Sequence, residues 1–228
     1  MSSPCDRLGE LPLTVSSEKL SIAKTGTTTV GLVCKDAVVL ATDTRVTMGN
    51  YVAHHKGKKL HQVDRHMGIT IAGAVADAQN VIDIVRYYSS LYRMEHNKPI
   101  PIGSAARLTA NVFFSNRYYP LIAQIILAGY DEAGPSLYNI DFFGSLSKET
   151  YMSTGSGSPI VLGLLETEFK EDMRSEDAVR LAVKAVTSAM KRDTYSGDSF
   201  DVAVITKDGF RELSLEEKET IFRSLQVS

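Results

Sequence analysis

From Thr28 onward the apolar positions are dense, β-branched and spaced as in strands. Segments 28–33 and 37–42, joined at Lys35-Asp36, predict a hairpin. Shorter strand candidates follow around Tyr51 and at 67–72, and then the period changes. Val75, Ala78, Val81, Ile82, Val85, Tyr88, Leu91 and Tyr92 recur at helical spacing, which predicts a helix over about 74–95 with one apolar face. Beyond Pro99 and Pro101, Ser104 reads as the N-cap of a second helix, with Leu108, Val112 and Phe113 facing inward.

Strand patterns return at 122–130, 136–143 and 149–153, punctuated by Gly129, Gly134-Pro135 and Gly144. Ser158-Pro159 opens another helix, because proline suits a first turn. A fourth helix is expected over about 175–192, on Ala178, Val179, Ala182, Val183 and Val186. A strand at 201–206, a turn at Asp208-Gly209, a short strand and a tail helix near 215–225 complete the chain. Groups of antiparallel strands alternating with pairs of helices predict an α+β domain of two stacked sheets covered by helices on both outer faces, not a parallel βαβ sheet. With no repeat or linker in sight, the periodic part reads as one domain.

Residues 1–26 differ from all of this. They are polar, carry Pro4, Gly9 and Pro12, and hold neither period, so they read as an appendage ending where the periodic sequence begins. Asp6, Arg7, Glu10, Glu18 and Lys19 interrupt any apolar core an export signal would need. The most apolar later stretch, 120–129, is far shorter than the ~20 residues of a membrane helix. A formal net charge of −2 gives no pull toward phosphate backbones or anionic lipid, so neither nucleic acid nor membrane is an expected partner. The basic run His54-His55-Lys56-Gly57-Lys58-Lys59 reads as a solvated loop about as readily as a working one. Cys5 and Cys34 sit far apart outside any CxxC pattern, which fits a reducing cytoplasm, and Cys34 reads as a buried, inert thiol.

Familiar hydrolase patterns are missing. Ser156 has a glycine on each side but lacks the outer glycines of a nucleophile elbow, and Thr154-Gly155-Ser156-Gly157-Ser158 matches no phosphate loop, leaving a plain strand-to-helix turn. His54, His55, His61 and His66 lack ligand spacing and read as surface histidines, so no metal and no cofactor is expected. What remains is Gly26-Thr27-Thr28-Thr29-Val30-Gly31 at the appendage boundary. A hydroxyl on a newly exposed first residue carries its own base, the free α-amine with a pKa of ~8. Asp43 and Lys59 are candidate helpers, since a lysine held by a carboxylate favours loss of the hydroxyl proton.

At these residues the sequence resembles the β subunits of the 20S proteasome, nearest the archaeal type, across 27–228. The resemblance is carried by TG and TTTVG at 25–31, KDAVVLATDTRVTMGN at 35–50, GKKLHQ at 57–62, ITIAGAVADAQ at 69–79, STGSGSP at 153–159, RDTYSGD at 192–198 and DVAVIT at 201–206. It implies a four-layer αββα sandwich, the N-terminal nucleophile hydrolase fold, which agrees with the strand and helix pattern. It also implies a propeptide, residues 1–26, removed by autocleavage between Gly26 and Thr27, and a catalytic domain over 27–228.

Position by position, the resemblance makes Thr27 the nucleophile, Asp43 and Lys59 its charged partners, and Gly73 the oxyanion donor. Ser156, Asp193 and Ser196 match the network around the amine. Val46, Thr47, Gly57, His61, Ile71, Val75 and Gln79 match the substrate-binding set, whose mostly apolar character implies cleavage after hydrophobic residues. The implied partners are α subunits and other β subunits in stacked heptameric rings, a regulatory ATPase acting through the α rings, and unfolded polypeptides as substrate. A bacterial threonine peptidase of the same fold, with another ATPase and ring number, is the competing enzyme; a ring subunit without catalysis is the competing structural role. Three departures stand out: a leader longer than archaeal members commonly carry, and Tyr195 and Asp198 flanking Ser196 where small residues are frequent.

Overall fold

A computed structural model of the chain describes residues 26–226. The remainder of the appendage, Cys5 included, and the last two residues lie outside it. Twelve strands and five helices are found among the described residues. In chain order they are β1 (Thr29–Val33), β2 (Val38–Asp43), β3 (Val46–Met48), β4 (Tyr51–His54), β5 (Leu60–Asp64), β6 (Met67–Gly73), α1 (Val75–His96), α2 (Ile102–Ser115), β7 (Ala123–Asp131), β8 (Gly134–Ile140), β9 (Leu146–Glu149), β10 (Tyr151–Thr154), α3 (Ser158–Glu168), α4 (Ser175–Met190), β11 (Phe200–Thr206), β12 (Gly209–Glu212) and α5 (Leu215–Gln226).

One antiparallel sheet has the order β10-β1-β2-β11-β12 and the other β5-β6-β7-β8-β9, while β3 and β4 form a separate ribbon. The central strands are apolar at consecutive positions because both of their faces are buried. Val39 and Ala41 of β2 join Val202 and Val204 of β11 against α3 and α4. Val38 and Leu40 point the other way, meeting Ile126, Ala128 and Leu137 of the opposite sheet. Ile125 and Leu127 of β7 in turn bury against α1 and α2 with Val81, Val85, Ala106 and Phe113. The result is the expected four layers, helix, sheet, sheet, helix. Gly31 sits where the sheets come closest: a Cβ there would lie 2.4 Å from Leu137 Cδ1, so a side chain would push the sheets apart.

Several boundaries differ from the expectation for identifiable reasons. The second helix begins at Ile102 after Pro101, not at Ser104, because Asp131 Oδ2 accepts the Ile102 N–H at 2.9 Å and does the capping from across the fold. Its buried face is Ile102, Ala105, Ala106, Thr109, Ala110 and Phe113, with Leu108 and Val112 only half-buried. On α1 the buried position is Ser89, and Tyr88 faces outward. The expected strand at 149–153 is in fact two. β9 pairs with β8 in one sheet, β10 with β1 in the other, and the chain crosses the sandwich at Thr150, whose carbonyl accepts the Val33 N–H at 2.7 Å. The histidines are not all on the surface: His61 is half-buried, and the mostly buried His66 ring places Nε2 2.8 Å from the Ile100 carbonyl oxygen beside Asp64.

Cys34 is buried beside the Lys35-Asp36 turn, its Sγ–H donating to the Ala37 carbonyl at 3.1 Å. Burial first, and the Asp36 charge second, push its thiol from 9.0 up to about 11. At pH 8 this leaves about a hundredfold less thiolate than an unperturbed thiol would have. Iodoacetamide mapped by peptide mass is therefore expected to leave Cys34 unmodified in the folded protein at pH 8 and to label it once denatured; rapid labelling of the folded chain would contradict the burial argument.

Candidate active site

Asp43 ends β2 and Lys59 immediately precedes β5, so the pair bridges the two sheets at one end of the sandwich. Lys59 Nζ donates to Asp43 Oδ1 at 2.8 Å, and both side chains are almost wholly buried. The same oxygen accepts the Thr28 N–H at 2.9 Å, while Oδ2 accepts the N–H groups of Arg45 and Gly197, each at 3.1 Å. Burial pushes the Asp43 carboxyl above its ordinary value, opposed by Lys59 and the N–H donors. Burial also lowers the Lys59 ammonium, with Asp43 opposing. A lysine so placed can give up its proton far more readily than a solvated one.

Thr27, the residue before Thr28, is also buried. Its N–H donates to Ser156 Oγ at 3.2 Å. Ser156 and Ser196 both donate to Asp193 Oδ2, at 2.6 and 2.5 Å. With its one proton thus committed, the Ser196 hydroxyl accepts from Thr28 Oγ1 at 2.7 Å. Thr27, Ser156, Asp193 and Ser196 therefore form one network joined to Asp43 and Lys59 through Thr28. Thr28 was not singled out in the sequence, where it reads as one more β-branched strand residue.

The glycines around Ser156 make this contact possible, so the segment is more than a plain turn. Gly155 has φ +91°, and a Cβ there would lie 2.0 Å from the Thr27 carbonyl oxygen; one on Gly157 would lie 2.0 Å from Thr28 Oγ1. Gly73 closes β6 at φ +130°, with Ile122 O only 2.3 Å from its would-be Cβ, so both the conformation and the packing there exclude a side chain. A cavity of about 230 Å³ opens there, lined by Ala72, Gly73, Ile122, Gln124, Phe142 and Gly155. Ile122 and Phe142 were expected inside the strands at 122–130 and 136–143; β7 instead starts at Ala123 and β8 ends at Ile140, which leaves both in the loops that line this cavity.

Gly26, the residue before Thr27, is buried as well. Its carbonyl oxygen accepts the Thr27 hydroxyl proton at 2.7 Å, and its own N–H donates to Thr47 Oγ1 at 3.1 Å. No side chain fits on Gly26, since a Cβ would fall 1.6 Å from that of Tyr195.

The other substrate-set residues come from several elements. Val46 lies on β3 against Gly57, where a Cβ would come 2.1 Å from Val46 Cγ2. His61 Nε2 lies 3.1 Å from the Lys58 carbonyl oxygen, and burial lowers its pKa. Ile71 is buried on β6, and Val75 and Gln79 are exposed on the first turns of α1. Among this set none lines the cavity at Gly73. Among the described residues no group of three or more His, Cys, Asp or Glu side chains can hold a metal, and no helix is long and apolar enough to cross a membrane.

Residues 23–205 match the family model described as proteasome subunit. A protein named proteasome subunit beta 2 from Nitrosopumilus maritimus (strain SCM1) is 48% identical over 196 residues, covering 86% of this chain and 93% of that relative. The protein named proteasome subunit beta from Methanocaldococcus vulcanius is 49% identical over 194 residues, 84% of this chain and 87% of that one. Its namesake from Methanosarcina barkeri (strain Fusaro / DSM 804) is 45% identical over 201 residues, 88% of this chain and 95% of that relative.

Removing Asp43 leaves a buried ammonium without its carboxylate, a loss of ~3–5 kcal/mol. Asp43→Ala is thus expected to lower the denaturant midpoint sharply. Because the Lys59 pKa is lowered on folding, the unfolded chain holds more protons between that lowered value and 10.5, and Lys59 makes stability rise with pH across that window. The difference in unfolding free energy between wild type and Lys59→Met, followed by urea titration from neutral to alkaline pH, should show that slope; a flat difference would contradict the burial cost assigned to the ammonium.

Proposed function

The chain belongs to the proteasome subunit family, as a β subunit and a threonine-type endopeptidase, and from that premise we propose that residues 1–26 are a propeptide which Thr27 removes before it turns to substrates. The observation that carries this reading is the Thr27 hydroxyl, 2.7 Å from the carbonyl oxygen of the peptide it would cleave, one residue before Thr28, whose N–H shares Asp43 Oδ1 with a buried lysine of lowered pKa.

Self-cleavage begins when Thr27 Oγ1 attacks the Gly26 carbonyl carbon. At that stage the Thr27 nitrogen is an amide and cannot act as base, so Lys59 in its neutral form takes the hydroxyl proton. The C–N bond breaks, the nitrogen leaves protonated as an amine, and Gly26 is held as an ester on Thr27. Water then hydrolyses the ester and releases the propeptide with Gly26 as its C-terminal carboxylate.

The freed amine then serves as base in each later turnover, a role supported by the bond from Thr27 N to Ser156 Oγ, which Asp193 in turn anchors. Thr27 Oγ1 attacks the substrate carbonyl, Gly73 N–H stabilises the oxyanion, and water resolves the acyl ester. Val46, Ile71 and Val75 present no acid to a side chain entering beside them, which supports cleavage after hydrophobic residues. Family membership supports assembly with other proteasome subunits. The finer reading has β subunits in stacked heptameric rings, capped by α rings, fed unfolded chains by an ATPase, in the cytoplasm.

Intact-mass measurement of assembled particles is expected to find chains beginning at Thr27. Thr27→Ala should keep residues 1–26 and hydrolyse nothing, while Thr27→Ser should retain part of both reactions. On the wild-type particle, peptides ending in Leu, Phe or Tyr should be cut about tenfold or more faster than those ending in Arg. Turnover by Thr27→Ala would exclude Thr27 as nucleophile, and a preference for Arg would overturn the pocket assignment.

A further inference from the structure

Outside the residues assigned above, the most densely bonded polar cluster of this face is Arg45, Asp198 and His55. Arg45 grips Asp198 with a two-pronged contact, Nε to Oδ2 at 3.1 Å and Nη2 to Oδ1 at 3.2 Å, and its third nitrogen, Nη1, donates to the Thr194 carbonyl at 3.1 Å. His55 Nδ1 lies 3.1 Å from Asp198 Oδ1 at the solvent edge. Exposed ion pairs ordinarily contribute little, but two features set this one apart. Asp198 holds φ +68°, a left-handed conformation that is uncommon for non-glycine residues and that aspartate tolerates better than most, and its carboxylate is held there by Arg45. Gly197 has no room for a side chain, because a Cβ would lie 2.4 Å from Arg45 Cζ; the guanidinium rests directly on the backbone.

Three loops are tied together here. Arg45 follows β2 and its N–H is bonded to Asp43; Thr44 Oγ1 donates to the His55 carbonyl at 2.9 Å, and Gly57 N–H donates to Thr44 O at 2.8 Å. The third loop is 193–199, which carries Asp193, Ser196 and the Gly197 N–H that reaches Asp43 Oδ2. Both backbone donors to Asp43 Oδ2 thus belong to residues that this cluster fixes.

We propose that Arg45 and Asp198 are positioning residues of the peptidase, a clasp that holds the 193–199 loop so that Asp193 and Ser196 reach the nucleophile's network and Gly197 reaches Asp43. Neither residue touches Thr27; each acts through the loop it holds. The charged groups around Asp43 are Lys59, Arg45 and Asp193, with Asp198 behind Arg45. Loosening the clasp weakens the N–H donors that favour the Asp43 carboxylate, so the carboxyl is protonated at a higher pH.

The test uses the assembled particle with Arg45→Lys, which keeps the charge and loses the fork, with Asp198→Asn, which keeps the shape and loses the charge, and with the two combined. Each single variant is expected to assemble, to lose kcat on the order of tenfold with KM unchanged, and to shift the acid limb of the kcat profile to higher pH. The double variant should be no worse than the singles, since all three break the same bond. Unchanged kcat and acid limb in both singles, a loss that only tracks a fall in assembled particle, or additive losses in the double would each overturn the clasp. The inference rests on the Thr27 reading, and the two fail separately. Turnover by Thr27→Ala sinks that reading, whereas an inert Thr27→Ala beside a normal Arg45→Lys sinks the clasp alone.

Discussion

An ammonium and a carboxylate, sealed between two sheets and 2.8 Å apart, impose the main constraint on this site. Two charges withdrawn from water need every available donor and acceptor in place. Asp43 meets that demand with Lys59 on one oxygen and backbone N–H groups from Thr28, Arg45 and Gly197 divided between the two. Those donors come from three places in the chain. Thr28, Arg45 just after β2 and the 193–199 loop therefore converge because one buried carboxylate requires it. Chemistry follows from the same burial, since desolvation lowers the Lys59 pKa and makes a neutral amine accessible.

Absence of side chains shapes the site as much as their presence. At Gly26, Gly155, Gly157 and Gly197 a Cβ would fall within 2.4 Å of Tyr195, Thr27 O, Thr28 Oγ1 and the Arg45 guanidinium respectively. Neighbouring groups consequently pack directly on glycine backbone around Thr27, and the Thr27 hydroxyl donates to the Gly26 carbonyl. Such packing leaves little freedom, as catalysis by positioning demands.

Much of this was legible in the sequence. Dense apolar residues at 37–42 and 122–130 marked strands, which the structure buries on both faces, and the spacing of Val81, Ile82 and Val85 marked the helix that covers one of them. Asp43 and Lys59, singled out as candidate helpers, do meet, and they meet beside the Thr27-Thr28 segment. What stayed hidden depends on contacts between distant segments. Ser104 looked like a cap because local pattern cannot show Asp131 reaching Ile102. Residues 149–153 looked like one strand because nothing local reports that the chain changes sheets at Thr150. Arg45 and Asp198 are 153 residues apart, and each alone reads as a solvated charge.

In the proposed reaction a threonine freed at its own amino group is the nucleophile. A crystal structure of the assembled particle soaked with a peptide boronate tests it most directly, because boron captures whichever oxygen attacks and mimics the tetrahedral intermediate. The account expects continuous density from Thr27 Oγ1 to boron, a boronate oxygen within hydrogen-bond reach of Gly73 N, and a chain that starts at Thr27 with its amine beside Ser156. Boron bonded to any other residue, or Thr27 still joined to Gly26 in a particle that turns over peptides, would contradict it.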